Sequence, residues 1–159
     1  MNKYLLFILS CLFVVSWHAN SQQANSISSQ DAQIMLPINS LFDGMREGNV
    51  QKVRSVFAPQ TLIHRAHASL REDTTVENFV QALASKGDAV WDEKIWDIQI
   101  NSADKLASVW TKFAFVLNGN LSHCGVNSFQ LYKFEDGWKI IYLADTFQKE
   151  ACKIPPGVH

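Results

Sequence analysis

WDEKIWDIQINSADKLASVWTKFAFVLNGNLSHCGVNSFQLYKFEDGWKIIYLADTF, residues 91–147, is the stretch that decides the fold. Polar turns such as Asn118-Gly119-Asn120 and Glu135-Asp136-Gly137 divide it into four apolar-rich runs: Trp91 to Asn101, Leu106 to Leu117, Leu121 to Phe134 and Trp138 to Phe147. The runs alternate with the period of a strand. In the first, Trp96, Ile98 and Ile100 point one way and Ile95, Asp97 and Gln99 the other; in the second, Val109, Thr111, Phe113 and Phe115 oppose Trp110, Lys112, Ala114 and Val116. The expectation is four successive antiparallel strands. Because both faces carry apolar residues in places, helices should cover one face, and a loop, the tail or a second subunit part of the other.

Upstream the period changes to that of helices. Ile34, Ile38, Leu41, Phe42 and Met45 gather on one face of a first helix, with Pro37 placed in its opening turn and Gly48 as its end. Asn49 caps a shorter helix with Val50, Val53, Val56 and Phe57 as its buried stripe, stopped by Pro59. Thr61 to Ala68 is a brief β-prone stretch, read as an edge strand or a strand-like crossing. Thr74-Thr75-Val76-Glu77 matches a capping box and opens a third helix that buries Val76, Phe79, Val80 and Leu83 and stops at Gly87.

The first residues read differently. Lys3 followed by the apolar run Tyr4 to Trp17 and the small residues of Ala19-Asn20-Ser21 indicates a signal peptide over residues 1–21, and hence a periplasmic or secreted protein. An uncleaved anchor would need roughly 20 apolar residues and meets His18 and Asn20 too soon; acylation at Cys11 is the other alternative. No stable membrane span is expected after cleavage. Residues 22–30, polar and rich in Ser, Gln and Asn, read as a flexible leader, residues 31–152 as one domain and residues 153–159 as a C-terminal tail. With 159 residues, 47% of them hydrophobic, the chain can build one core.

Removing the signal leaves 13 basic against 15 acidic residues, a net charge of −2 with no basic stripe. Nucleic acid is therefore not an expected partner. Cys124 and Cys152 remain, an even pair in a chain bound for an oxidising compartment, and are expected to form a disulfide; free thiols or a metal site are the alternatives.

The order of elements, the turn Glu47-Gly48-Asn49 and above all Asp136-Gly137-Trp138-Lys139-Ile140 resemble the nuclear transport factor 2-like superfamily, with its SnoaL-like and ketosteroid-isomerase-like members, over roughly Asp31 to Phe147. His123-Cys124-Gly125-Val126 with Asp145-Thr146 and Cys152 resembles one secreted bacterial subgroup of it. The resemblance implies an α+β cone: three N-terminal helices packed on a strongly curved, mainly antiparallel sheet of the cystatin-like kind, with an apolar cavity at its wide end. Members include isomerases, cyclases, dehydratases and proteins that bind without catalysis, so fold alone does not choose among them.

Proton-transfer chemistry in such a cone requires a carboxylate or imidazole in an apolar pocket. Asp97, Asp145, His64, His67 and His123 are the candidates. Asp145 shares a face with Ile141 and Leu143 and is, with His123, the candidate catalytic pair; a carboxylate tied to a turn and a structural histidine are the plainer readings. Asp97, beside Trp96 and Ile98, reads as a solvated strand carboxylate. His64 and His67, three apart on a strand, diverge, so no metal site is expected, and no cofactor motif is present. Trp110, Asn127, Phe129, Tyr142 and His64 are the candidate ligand-binding residues, His123, Asn127 and Phe129 sharing one strand face. The favoured reading is a binder of a small apolar molecule. An isomerase-, cyclase- or dehydratase-type enzyme and a homodimeric interaction module are the alternatives.

Overall fold

The computed structural model describes residues 28–67 and 70–158. The expected signal peptide and residues 22–27 of the expected leader lie outside the described residues. Helix α1 (Ser29–Glu47) begins inside the expected leader. Ser28 Oγ accepts from the Asp31 amide at 3.0 Å and the Asp31 carboxylate accepts from the Ser28 amide at 3.4 Å, a reciprocal cap. The polar composition read as a leader is thus partly capping chemistry. The earlier start also corrects the place of Pro37, which lies well inside the helix, at the cost of one backbone bond but buried against the core. Gly48 closes the helix at φ 69°, a left-handed conformation that suits glycine.

Asn49 caps helix α2 (Val50–Ser55), its side chain accepting from the Lys52 amide at 3.0 Å. Strand β1 (Phe57–Ala66) follows at once, four residues sooner than the β-prone stretch suggested. Pro59 fits within it because pairing with the last strand is interrupted between Phe57 and Leu62. Strand β2 (Leu70–Thr75) was not expected from the sequence, and it places two strands before helix α3 (Val76–Ala84). Thr75, not Thr74, caps α3, accepting from the Asn78 amide at 3.1 Å; Glu77 instead pairs with Arg54 across to α2.

Strands β3 (Trp91–Ala103), β4 (Leu106–Leu117), β5 (Asn120–Phe134) and β6 (Gly137–Thr146) form the expected antiparallel meander. The sheet order is β2-β1-β6-β5-β4-β3, with β1 parallel to β6 and every other pair antiparallel. β1 is therefore an interior strand, and β2 takes the edge. The architecture is α+β: helices packed on the inner face of a curved, mostly antiparallel sheet. Ile34, Ile38 and Leu41 of α1 meet Phe129, Leu131 and Ile140 of the sheet, all fully buried or nearly so, and Phe42 stands edge-on to Phe129 at 6.3 Å. Each such buried side chain stabilises the fold by about 1.5–3 kcal/mol.

Bulges in β3, β5 and β6 bend the sheet and break simple alternation. In β3, pairing slips between Trp96 and Gln99, with Asp97 at φ 56°. Ile95 and Ile100 consequently both reach the core while Ile98 is 44% exposed, so the expected grouping of Trp96, Ile98 and Ile100 does not hold. In β6 the extra residue is Ile141, since Ile140 pairs with Leu131 and Tyr142 with Gln130. Leu143 therefore shares the core with Ile140. Another slip, at Ser122 of β5, lies beside His123.

The outer face near β5 is covered by the tail. Cys124 and Cys152 form the expected disulfide, Cα atoms 5.8 Å apart, and Cys124 exchanges two backbone hydrogen bonds with Gln148, at 2.8 and 2.9 Å. Among the described residues no helix is long and apolar enough to cross a membrane.

Candidate functional site

Between the sheet and helices α1 and α3 lies a cavity of about 530 Å³. Leu41 and Met45 of α1 and Phe79 of α3 form one side of it; Trp91, Phe115 and Leu143 form much of the other. One wall is polar. It is built from four strands: Arg65 of β1, Glu93 of β3, His123 and Asn127 of β5, and Asp145 of β6. The alternation around each residue explains its inward direction. Glu93 lies between Trp91 and Ile95 on the face that packs inward, and Asn127 lies two residues from the fully buried Phe129.

Asp145 is held by Arg65. The guanidinium donates from Nε to Oδ1 at 2.9 Å and from Nη2 to Oδ2 at 2.5 Å, a two-pronged contact made possible by the parallel pairing of Arg65 with Asp145. Asp145 does line the cavity, with Leu143 beside it, but the bulge at Ile141 removes Ile141 from that face. Both of its oxygens are taken up by the ion pair.

Glu93 is placed differently. Asn127 Nδ2 donates to its Oε1 at 2.6 Å, and among the described residues it makes no ion pair. Desolvation pushes its carboxyl up to about 7, against the Asn127 hydrogen bond, and the negative charge of Asp145 adds to the rise. A carboxyl in that range exchanges protons near neutrality.

His123 is buried between Phe115, 5.0 Å away between ring centres, and Phe147 at 4.4 Å. Burial pushes it down to about 4, helped by the positive charge of Arg65, so the ring is neutral at physiological pH. Its Nδ1 lies 3.2 Å from Ser122 Oγ.

The other expected site residues separate. His64 borders the cavity, but its ring packs against Tyr142, with Nδ1 3.2 Å from the Tyr142 hydroxyl. Tyr142 itself does not line the cavity. Phe129 is core, fully buried under Phe42. Trp110 is corrected most sharply: it is 48% exposed on the outer face, because Val109 and Thr111 on either side turn inward. Asp97 sits on the bulge and pairs with Lys112 at 2.7 Å; His67 stacks on Phe147 at 5.3 Å. Among the described residues no cluster of three or more His, Cys, Asp or Glu side chains could hold a metal.

Glu93 and Arg65 were not singled out from the sequence. The signal for Glu93 was present: an acid between Trp91 and Ile95 at strand spacing interrupts an otherwise apolar face. Arg65 lies in β1, whose interior place in the sheet depends on a strand some 80 residues away.

A comparison with curated proteins finds no match. Solved structures of similar fold include a protein of unknown function with a cystatin-like fold from Nostoc punctiforme, at 13% identity and a TM-score of 0.62 over 78% of this chain and 96% of that one. An NTF2-like protein from Cytophaga hutchinsonii has 15% identity and a TM-score of 0.63 over 76% and 98%. A protein of that family from Streptomyces avermitilis described as a "putative dehydratase" has 14% identity and a TM-score of 0.59 over 73% and 94%. At these identities the likeness shows the fold. Residues 29–144 match the profile of the family described as "Putative lumazine-binding". The chain belongs to that family, within the NTF2-like superfamily.

Proposed function

We propose that this protein is a secreted or periplasmic binder of a small, mostly apolar molecule with one polar end. The observation that carries the reading is the cavity of about 530 Å³, apolar on its helix side and polar along one wall, a size and lining suited to a compact organic ligand. The family description supports it and makes lumazine the first compound to add. The signal-like start of the sequence and the Cys124–Cys152 disulfide support export. The test is native mass spectrometry of the mature protein under gentle conditions. The expected result is a retained adduct of a few hundred daltons, or one formed on adding lumazine, that disappears when Phe115→Asp places a charge in the cavity. An empty protein that takes up no added compound would overturn the reading.

A second reading is favoured by one observation, the Glu93 carboxyl near neutrality in an apolar cavity. It makes the protein an acid-base enzyme of the isomerase, cyclase or dehydratase type, with Glu93 in the role first given to Asp145. Turnover of a carbonyl substrate that is lost in Glu93→Gln while the adduct is kept would select it. A homodimer is proposed through the outer face, where Leu106, Trp110, Tyr132 and Phe134 are exposed. A monomeric mass by light scattering across a concentration series would exclude it.

A further inference from the structure

We infer that the cavity selects, as the polar end of its ligand, a positively charged hydrogen-bond donor such as a protonated amine on an aromatic or aliphatic body, over an anion of the same shape. The inference rests on the binding reading above and goes on to name the ligand's charge.

Helices α1 and α3 bring Leu41, Met45, Asn78, Phe79 and Ala82 to the cavity, none of which titrates. The charged groups all come from the sheet. Arg65 is the cationic side chain of the lining, and Asp145 takes it with two oxygens. Its charge is already answered. Glu93 has an amide for a direct partner, Asn127; Asp145 acts on it as a like charge, and Arg65, already paired with Asp145, offsets that from a distance. Asp92, next to it on β3, adds a further negative field but is itself answered by Arg46 at 2.9 Å and Lys94 at 2.9 Å. His123 on β5 is neutral, and His64 on β1 packs against Tyr142. The polar wall therefore carries one carboxyl, Glu93, that makes no ion pair among the described residues, in a place where burial makes a charge costly.

A carboxylate or phosphate brought here would face two carboxyl groups, Glu93 and Asp145, against the single guanidinium of Arg65, which Asp145 already holds. An ammonium would supply the missing counter-ion. Trp91, Phe79 and Phe115 line the same cavity, and ring faces attract cations further. The bound cation takes over the neutralising role of a proton: Glu93, which near pH 7 is protonated about half the time, releases that proton as the ligand enters. Affinity for a cation must then rise with pH through the neutral range. Affinity for an anion must fall.

The experiment is isothermal titration of the mature, disulfide-intact protein with three naphthalene probes, 2-naphthylmethylamine, 2-naphthylmethanol and 2-naphthoate, at pH 6 and pH 8. The amine is expected to bind tightest at pH 8, with a Kd about tenfold lower than at pH 6, as follows for a single group titrating near 7. The alcohol should change by less than about twofold. In Glu93→Gln the pH dependence of the amine and its advantage over the alcohol should both vanish; His64 is present in both proteins, so the difference isolates Glu93. Naphthoate binding as tightly as the amine, or an amine affinity with the same pH dependence in Glu93→Gln, would overturn the inference while leaving the binding reading intact. Failure of all three probes to bind would overturn both.

Discussion

Glu93 and His123 are displaced from their ordinary titration ranges in opposite directions by the same cause, burial in one cavity. The stability consequences therefore have opposite signs. Glu93 titrates at about 7 folded against 4.5 for the ordinary carboxyl, so the folded state holds its proton longer, and stability falls as pH rises from 4.5 through 7. His123 titrates at about 4 against 6.5, so the folded state refuses a proton that the unfolded chain takes, and stability falls as pH drops from 6.5 through 4. Each limb amounts to at most about 3 kcal/mol, less whatever solvent in the cavity screens. Urea unfolding should find Glu93→Gln more stable than the wild type by up to about 3 kcal/mol at pH 8 and nearly equal to it at pH 4.5. For His123→Gln the gain relative to wild type should instead appear on going from pH 7 to pH 4. A Glu93→Gln protein with an unchanged alkaline limb would show that burial of this carboxyl is not its source. At this scale the sequence was partly readable. His123, Asn127 and Asp145 were found because they sit on strands with strong alternation, whereas Glu93 was passed over in the polar-looking triplet Asp92-Glu93-Lys94, whose members point to different faces.

The elements that build the site depend on close approaches that side chains would prevent. Gly125 on β5 is the clearest: a Cβ there would run into the carbonyl oxygen of Thr146 and lie 2.8 Å from a ring carbon of Phe113. That proximity lets Thr146 Oγ1 accept from the Val126 amide at 2.9 Å and keeps β6 on course toward Gln148. Gly125→Ala should force the strands apart and destabilise the protein by roughly 1–3 kcal/mol, measured as a lower urea midpoint at unchanged slope. Unchanged stability would mean that the Thr146 backbone yields freely. The four long strands were legible from turns and alternation. The bulges at Asp97, Ser122 and Ile141 were not, because an inserted residue is defined by the partner strand and leaves no local mark in the chain that carries it. The same reason hid β2 and the interior position of β1: both are consequences of pairing, and Pro59 and a mixed composition argued locally against a strand.

For the whole molecule, the tail is structural. The disulfide fixes it beside β5, Phe147 stacks on His123, and Arg65 lies 5.4 Å from the same ring, so the tail closes the site's polar wall from outside. Replacing both cysteines, Cys124→Ser with Cys152→Ser, should cost about 3.5 kcal/mol for the loop of 28 residues it closes, read from urea unfolding. A double variant as stable as the wild type would show that packing of Phe147 alone holds the tail.

The parallel seam between β1 and β6 has a consequence in time. Strands β3 to β6 can zip together through neighbouring hairpins, each closing a short loop, but Arg65 meets Asp145 only across 80 residues. A chain emerging from its amino end carries helices and β1 long before the last strand exists to receive them. The barrier to reaching the native state should thus lie in this long-range closure, and the cavity's polar wall is among the last features to come into being.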